Sequence, residues 1–309
     1  MKKMNEKFMT KTIVVWIGAL ICSALWGSAF PGIKLGYEWT NIASDDTAAQ
    51  ILYAGLRFTL AGILAIILGS AFNKKFLYPR KSAWGKVLVL CMFQTVIQYY
   101  FFYIGLAHTS GVKAAIIEGM NVFVAIVVAC LIFRQEKLTV RKVIGCMVGF
   151  TGVVLVNISG GGLDASLSFN GEGFIFLSTV SYALSSIMLK QYSKTENTVM
   201  LSGWQFVLGG LIMTGIGLVM GGRLEGFTVK GIEMLVYLAL VSAVAYSLWS
   251  ILLTYNPISR VAVFGFMNPL IGVILSAILL RESDKLGVIS IVSLILVCAG
   301  IYIVNRKPE

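Results

Sequence analysis

The sequence has very few charged residues for its length. Only 13% of its 309 residues are charged, whereas 58% are apolar. A soluble domain normally carries about 25% charged residues. A surface so poor in charge could not remain in water, so the composition predicts a chain whose solvent is lipid. Apolar segments take up nearly all of the chain, and a separate soluble domain is not expected.

The sequence also lacks the motifs of catalysis, metal binding and nucleotide binding. It has one histidine, His108, no acidic metal motif and no plausible Ser, His and Asp set. Its five cysteines form no CxxC pair and lie in apolar runs, which indicates small buried side chains rather than disulfides or metal ligands. The Gly160-Gly161-Gly162 run lacks the Lys-Ser or Lys-Thr that a phosphate loop needs. We therefore predict no enzyme, no cofactor and no ATP-driven pump.

Ten long apolar runs account for most of the chain. Crossing a bilayer takes roughly 20 residues in a helix but only about 9–11 in a barrel strand, so runs of this length predict helices. The predicted fold is an all-α membrane protein with ten transmembrane helices. The predicted spans cover about 12–33, 48–72, 84–107, 112–133, 140–157, 170–190, 198–220, 231–254, 258–280 and 286–304.

Lysine and arginine are distributed unequally between the two ends of these spans. Eighteen lie on the side of the N terminus and six on the opposite side. Because cytoplasmic loops carry the excess of positive charge, both termini are predicted to face the cytoplasm. The predicted location is a bacterial inner membrane. The net charge of +11 then reflects topology and anionic lipid headgroups rather than binding to nucleic acid.

The two halves of the chain resemble each other at an offset of about 148 residues. The segment Gly55–Phe58 in span 2 matches Gly203–Phe206 in span 7, and the order of such matches is collinear. We predict a first five-helix repeat over residues 1–159 and a second over 160–309. Because each repeat has an odd number of spans, the second is expected to be inverted. A substrate site would then lie between the repeats.

Several short motifs occur in a fixed order along these spans. Trp26-Gly27-Ser28 lies in span 1, Asn268-Pro269 lies in span 9, and turns containing Arg134 with Glu136 and Arg281 with Glu282 follow spans 4 and 9. In this order they resemble the EamA family of the drug/metabolite transporter superfamily. The resemblance covers nearly the whole chain and implies a ten-helix secondary transporter of amino acids, amines or related metabolites, often an exporter.

One residue departs from that family pattern. The family usually has a proline in span 4 where this chain has Val122, whereas the second half keeps Pro269. Span 4 is therefore expected to be less broken than span 9, and the two halves are not expected to move alike.

Two ionisable residues lie well inside the predicted spans. At about 1.5 Å per residue, Arg57 sits roughly 13 Å and Glu118 roughly 10 Å below the outer ends of their spans. Such groups are costly in a bilayer and usually face a cavity. A carboxylate in a partly dry cavity takes up a proton readily, so Glu118 is predicted to exchange a proton for a cationic substrate. The alternative is that Glu118 pairs with Arg57 and stabilises the fold. Both hold if a zwitterionic substrate breaks the pair.

The remaining candidates are polar or aromatic residues of the spans. Asn121 and Asn268 hold matching positions in the two halves, and Pro269 frees a backbone carbonyl, which predicts a hinge or a ligand contact. Trp26, Gln98 and Tyr99 reach the level of the two charges. Packing between helices or against lipid is the alternative for each. The predicted substrate site comprises Glu118, Arg57, Trp26, Gln98, Tyr99, Asn121, Tyr246, Trp204, Asn268 and Pro269.

The sequence therefore predicts a secondary transporter, with proton-coupled export of small amines or amino acids as the leading interpretation. Import of a quaternary amine such as choline is the alternative, because aromatic faces bind quaternary ammonium groups. An integral membrane enzyme is the alternative from another class, but no catalytic cluster supports it. The expected partners are a small-molecule substrate, protons and the lipid bilayer, with a homodimer as one possible assembly.

Overall fold

The computed structural model describes residues 2–43, 45–108, 117–158, 168–224, 226, 228–279 and 288–306. Within these ranges all regular secondary structure is helical. The helices are α1 (Lys2–Met9), α2 (Thr12–Trp39), α3 (Thr47–Asn73), α4 (Trp84–Cys91), α5 (Ile97–Ala107), α6 (Asn121–Val127), α7 (Val140–Ile158), α8 (Phe174–Tyr192), α9 (Thr198–Val219), α10 (Val229–Tyr255), α11 (Ile258–Ala262), α12 (Met267–Leu279) and α13 (Val288–Asn305).

Six helices in the described ranges are long and apolar enough to cross a membrane. They are Thr12–Trp39, Thr47–Asn73, Lys81–Leu106, Phe169–Tyr192, Thr198–Val219 and Val229–Tyr255. Shorter apolar helices cover Ile117–Ile132, Ile258–Gly272 and Ile291–Asn305. The chain is thus an all-helical, membrane-type protein, and the full number of ten spans stays a prediction.

Several parts of the predicted pattern lie outside the described residues. They are the start of the fourth span at 112–116, the glycine run at 160–162, the last residue of the ninth span at 280, the turn that contains Arg281 and Glu282, and the start of the tenth span at 286–287.

Side-chain caps fix where several of the long helices begin. Asp46 accepts a hydrogen bond from the Ala49 N–H at 2.8 Å and starts α3. Asn197 accepts from two backbone N–H groups at the start of α9, and Thr228 accepts from the Gly231 N–H at the start of α10. Such caps satisfy N–H groups that have no partner within the helix.

The helices that carry the predicted site are irregular where they reach it. A π-helical segment, Met92–Val96, joins α4 to α5, and a 3-10 segment, Val263–Phe266, joins α11 to α12 just before Asn268 and Pro269. In span 4, Met120 is a turn residue directly before α6. Irregular turns of this kind re-aim side chains and are frequent at functional sites.

Helices α3 and α9 pack closely along their length. A Cβ atom on Gly55 would lie 2.4 Å from the backbone nitrogen of Thr214, and one on Gly210 would lie 2.3 Å from that of Thr59. Backbone atoms cannot move aside as a flexible side chain can, so these positions require glycine. The close contact aligns Arg57 on α3 with the interior of the helical bundle, where it is 4% exposed.

Candidate substrate cavity

A cavity of about 170 Å³ lies inside the bundle, between the N-terminal and C-terminal halves of the chain. This is room for several water molecules or for one small metabolite. Its wall is formed by Trp26, Ala29, Ile33, Arg57, Gln98, Tyr99, Phe102, Glu118, Gly119, Asn121, Val122, Ala125, Tyr182, Ser186, Tyr246, Trp249, Leu253, Ile258, Ala262, Gly265, Asn268 and Pro269.

Nine of the ten residues predicted for the site lie on this wall. They come from distant parts of the sequence: Trp26, Arg57, Gln98, Tyr99, Glu118, Asn121, Tyr246, Asn268 and Pro269. The structure therefore brings them together in space, while their roles in transport stay predictions.

Arg57 contributes a buried positive charge to the cavity. Its Nη2 donates a hydrogen bond to Ser242 Oγ at 2.9 Å, and its guanidinium carbon lies 5.1 Å from the centre of the Phe58 ring. Its Nε is buried and has no partner. A serine hydroxyl and a ring face do not neutralise the charge, so this guanidinium retains capacity for an anionic group.

Glu118 contributes a carboxylate to the same cavity. The ion pairs among the described residues use Glu196 and Glu136 as acceptors, and none joins Glu118 to Arg57. The direct pairing that the sequence suggested as an alternative role for Glu118 is therefore not formed in this structure. The two opposite charges therefore lie on the wall of one cavity without a direct ion pair between them.

Aromatic side chains form much of the remaining wall. The ring of Trp26 lies 5.2 Å from that of Tyr246 and 5.0 Å from that of Trp249, both in edge-to-face contacts. The hydroxyl groups of Tyr99 and Tyr246 are hydrogen-bonded at 2.8 Å. These contacts tie α2, α5 and α10 together around the cavity.

Trp204 is the one predicted site residue that the structure does not bring to the cavity. Its ring lies 5.3 Å from both Tyr78 and Trp84, and its Nε1 donates to the carbonyl of Leu77 at 2.8 Å. The next residue, Gln205, is fully buried and accepts a hydrogen bond from Thr95 Oγ1 at 2.7 Å. Neither residue lines the cavity, and no other residue of α9 does, so Trp204 belongs to a separate aromatic cluster with Tyr78 and Trp84.

Comparison with known proteins agrees with this architecture. The sequence profile of the EamA-like transporter family matches residues 13–158 and again residues 169–306. The chain belongs to the EamA-like transporter family. An uncharacterized transporter of Archaeoglobus fulgidus is 29% identical over 297 residues, which cover 94% of this chain and 99% of the relative.

Other relatives extend the family assignment. The uncharacterized transporter YvbV of Bacillus subtilis is 27% identical over 91% of both chains, and the protein PecM of Dickeya dadantii is 24% identical over 94% of both. A solved crystal structure aligns with a TM-score of 0.75 and 15% identity over 94% of this chain and 95% of its own, which shows a shared fold. This EamA-like protein is a multi-pass membrane transporter.

The sequence did not single out several residues of the cavity wall in this EamA-like protein. Tyr182 and Ser186 on α8 line the cavity, as do Phe102 and Trp249, and Ser242 binds Arg57. Serine and aromatic residues are common in membrane helices for packing reasons, so composition alone did not distinguish them.

The turn after the fourth span forms a polar contact at one end of the cavity. Glu136 accepts hydrogen bonds from the backbone N–H groups of Ile258 and Ser259, from the Ser259 hydroxyl, and from Lys142 Nζ at 2.9 Å. Burial acts to raise the pKa of Glu136, but the hydrogen bonds from Ser259 and Lys142, with the charges of Lys142 and Lys190, outweigh it and lower the pKa. Because Ile258 lines the cavity, this carboxylate holds the start of α11 in place beside it.

Proposed function

We propose that this EamA-like protein is a secondary active transporter that exports small amines or amino acids in exchange for protons. The observation that carries the proposal is the presence of Arg57 and Glu118 on the wall of one internal cavity, without an ion pair between them. Ionisable groups in a membrane interior are costly, and they usually serve a path for a substrate or an ion.

Proton coupling would take place at Glu118. Burial disfavours the charged form of a carboxylate, so Glu118 without a cationic partner favours its protonated form. A cationic substrate supplies a positive charge and favours the ionised form. A proton and an ammonium group then compete for the same side chain, which couples the movement of one to that of the other.

An amino acid could use both charges of the cavity. Its ammonium group would bind Glu118, and its carboxylate would bind the guanidinium of Arg57, which lines the same cavity. Arg57 Nη2 is already held by Ser242, so the guanidinium is oriented before a substrate arrives. Preorganised charges of this kind lower the cost of ordering on binding.

We further propose that the scaffold consists of ten spans in two inverted repeats, residues 1–159 and 160–309, with both termini in the cytoplasm. Two hydrogen bonds at equivalent positions of the two halves support this arrangement. Arg57 donates to Ser242, and Thr95 donates to Gln205. Gln205 follows Arg57 by 148 residues and Ser242 follows Thr95 by 147, as expected for two related halves. A substrate site between such repeats is common in secondary transporters.

Flux into proteoliposomes tests the proposed function. Vesicles containing the purified protein and an imposed pH gradient are screened over radiolabelled amino acids and amines. We expect flux that requires the gradient and that Glu118→Gln abolishes. Glu196→Gln is the matched control, because Glu196 binds Arg80 and Lys86 and does not line the cavity. Gradient-dependent flux in Glu118→Gln that equals that of the wild type would remove Glu118 from the mechanism. Absence of flux for every amine and amino acid would overturn the proposal.

Import of a quaternary amine such as choline is the second candidate. The aromatic rings of Trp26, Tyr246 and Trp249 on the wall support it, since aromatic faces attract quaternary ammonium groups. The two candidates differ in the nitrogen of the substrate: an amino acid or a primary amine carries N–H donors on it, whereas a quaternary amine carries none.

A further inference from the structure

Two connecting loops meet at one end of the helical bundle. Residues 74–80 join α3 to the next membrane-crossing helix, and residues 193–197 join α8 to α9. Arg80 Nη2 donates across the gap to the carbonyl of Thr195 and to the carboxylate of Glu196, each at 3.1 Å. The four helices that these loops connect are all long and apolar enough to cross a membrane. The two loops therefore lie together at one surface of the bilayer.

Basic residues are concentrated at this place. Residues 74–86 and 193–197 contain six basic residues and one acidic residue. The acidic residue, Glu196, forms ion pairs with Arg80 and Lys86. The ion pairs in the described part of the chain do not involve the other four, all of which are exposed: Lys74, Lys75, Lys81 and Lys194. These four lysines form a basic surface whose charge is available to an anion from outside the protein.

Three aromatic side chains pack against one another beside the basic surface. The ring centre of Tyr78 lies 5.8 Å from that of Trp84 and 5.3 Å from that of Trp204, and the two tryptophans are 5.3 Å apart. The indole N–H of Trp204 donates to the carbonyl of Leu77 at 2.8 Å, which fastens the first loop to α9. Tryptophan and tyrosine are enriched at membrane interfaces, where their rings sit at the level of the headgroups. The cluster therefore places the lysines near the depth of lipid phosphates.

Apolar side chains flank two of these lysines. Phe72 is 87% exposed and Phe76 is 64% exposed, and Lys74 and Lys75 lie between them in the sequence. An anion dissolved in water has no apolar part to cover these rings, whereas a phospholipid joins a phosphate to acyl chains. The combination of exposed lysines and exposed rings favours a lipid over a soluble anion.

We propose that the basic surface is a binding site for the headgroup of an anionic phospholipid, whose phosphate meets Lys74, Lys75 and Lys81. Clusters of about four to eight Lys and Arg residues next to the end of a membrane helix are typical of anionic lipid recognition. The ion pairs of Glu196 and the hydrogen bond of Trp204 fix the loops that carry the lysines before a lipid binds. The inference goes beyond transport and holds for any solute that the cavity takes.

Another basic turn of the chain provides a contrast. Residues 134–142 contain four basic residues and one acidic residue, Glu136, but no aromatic residue. Lys142 forms an ion pair with Glu136 at 2.9 Å. Positive charge alone is expected wherever a loop stays on the cytoplasmic side of a membrane. The aromatic cluster and the exposed rings therefore distinguish the basic surface from charge that only sets the orientation of the chain.

Lipid adducts of the purified full-length protein test the inference. Native mass spectrometry in detergent follows titrations with phosphatidylglycerol, which is anionic, and with phosphatidylcholine, which is zwitterionic. We expect saturable binding of phosphatidylglycerol and a clear preference for it over phosphatidylcholine. Since each lysine near an anionic lipid surface strengthens binding about fivefold, loss of three should weaken binding of phosphatidylglycerol by about 100-fold. The variant for this test carries Lys74→Gln, Lys75→Gln and Lys81→Gln.

Two further variants separate a specific site from general positive charge. The first removes three charges from exposed lysines outside the basic surface, with Lys7→Gln, Lys11→Gln and Lys137→Gln. It should change the binding of phosphatidylglycerol by about twofold or less, because the effect of a charge falls off within a Debye length. The second keeps the charge of the basic surface and should retain binding, with Lys74→Arg, Lys75→Arg and Lys81→Arg.

Glycerol 3-phosphate distinguishes a lipid from a soluble anion. It carries a phosphate group without acyl chains, and we expect it not to displace phosphatidylglycerol at equal concentration. Displacement would assign the surface to soluble phosphate esters and overturn the inference. Equal binding of the two lipids by the wild type, or an equal loss in the two glutamine variants, would also overturn it. None of these measurements involves flux, so failure of the proposed transport function would leave their result unchanged.

Discussion

Tyr99 on α5 and Tyr246 on α10 share a hydrogen bond of 2.8 Å between their hydroxyl groups at the wall of the cavity. Each tyrosine also packs on a phenylalanine of helices α3 or α9. The ring centre of Tyr99 lies 4.4 Å from that of Phe58, and the ring centre of Tyr246 lies 4.8 Å from that of Phe206. Phe58 and Phe206 are stacked on each other at 5.3 Å. The four rings thus form one cluster that joins the first half of the chain to the second.

Removal of either hydroxyl group should weaken this junction. Tyr99→Phe and Tyr246→Phe should each cost about 1 kcal/mol of stability, since a buried partner is left unsatisfied. The double variant should cost no more than one single variant, because both remove the same bond. Thermal unfolding of the four proteins in detergent measures the coupling. Strictly additive losses would show that the two hydroxyl groups act independently.

The contact between α3 and α9 predicts different outcomes for two glycines on the same helices. Gly55→Ala places a Cβ atom 2.4 Å from the Thr214 backbone nitrogen, and we expect a loss of about 1–3 kcal/mol. Gly215→Ala is the control, because no atom lies within 4 Å of its Cβ position. Alanine there should be neutral or stabilise the helix by about 0.5–1 kcal/mol. Equal effects of the two substitutions on the unfolding temperature would contradict the close packing.

The sequence alone identified nine residues of the cavity wall, but it did not identify the residues that hydrogen-bond to the charged groups, such as Ser242 for Arg57. Arg57 and Glu118 were identifiable because a charge inside an apolar run needs an explanation. Trp204 was grouped with them wrongly in space, because its helix, α9, contributes no residue to the cavity wall, and the sequence of a single helix does not specify which helices surround a cavity. Its place in the cluster with Tyr78 and Trp84 depends on packing between helices.

Contacts between distant segments explain the other omissions. Ser242 is an ordinary small polar residue until α3 places Arg57 beside it, 185 positions away in the sequence. Glu136 was noted only as part of a turn motif, and its partner Ser259 lies 123 positions further on. Neither pairing leaves a local signal, because nothing in the neighbouring residues specifies a partner so far along the chain.

Arg57 should govern the recognition of carboxylates rather than of amines. Arg57→Gln gives this position the residue that Gln205 has in the second half, and it removes the positive charge while keeping a polar side chain. We expect flux of zwitterionic amino acids to fall by at least about tenfold, because a charge-assisted hydrogen bond is lost. Flux of simple amines should change much less. Competition assays in proteoliposomes compare the two classes, and an equal loss for both would assign Arg57 a structural role.

Glu136 should stabilise the fold in a manner that depends on pH. Its folded pKa is lowered, so its contribution is fully present above the unfolded glutamate pKa of about 4.3. The contribution is lost as the pH falls through the lower pKa of the folded state. Glu136→Gln keeps the shape of the side chain but replaces charge-assisted hydrogen bonds with neutral ones, which should cost about 1 kcal/mol at neutral pH.

Thermal unfolding of the wild type and Glu136→Gln across a pH series checks this prediction. The difference in unfolding temperature should be constant from about pH 7 to about pH 5 and should vanish only in stronger acid. Glu196→Gln provides a comparison, because Glu196 also has a lowered pKa but binds Arg80 and Lys86 away from the cavity. Only Glu136→Gln should also loosen Ile258 at the cavity wall, since Glu136 holds the backbone N–H of that residue. A cysteine reporter at the cavity wall, Ala262→Cys, should be labelled faster in Glu136→Gln but not in Glu196→Gln. Equal labelling rates in the two variants would show that Glu136 stabilises the turn without holding the start of α11 in place.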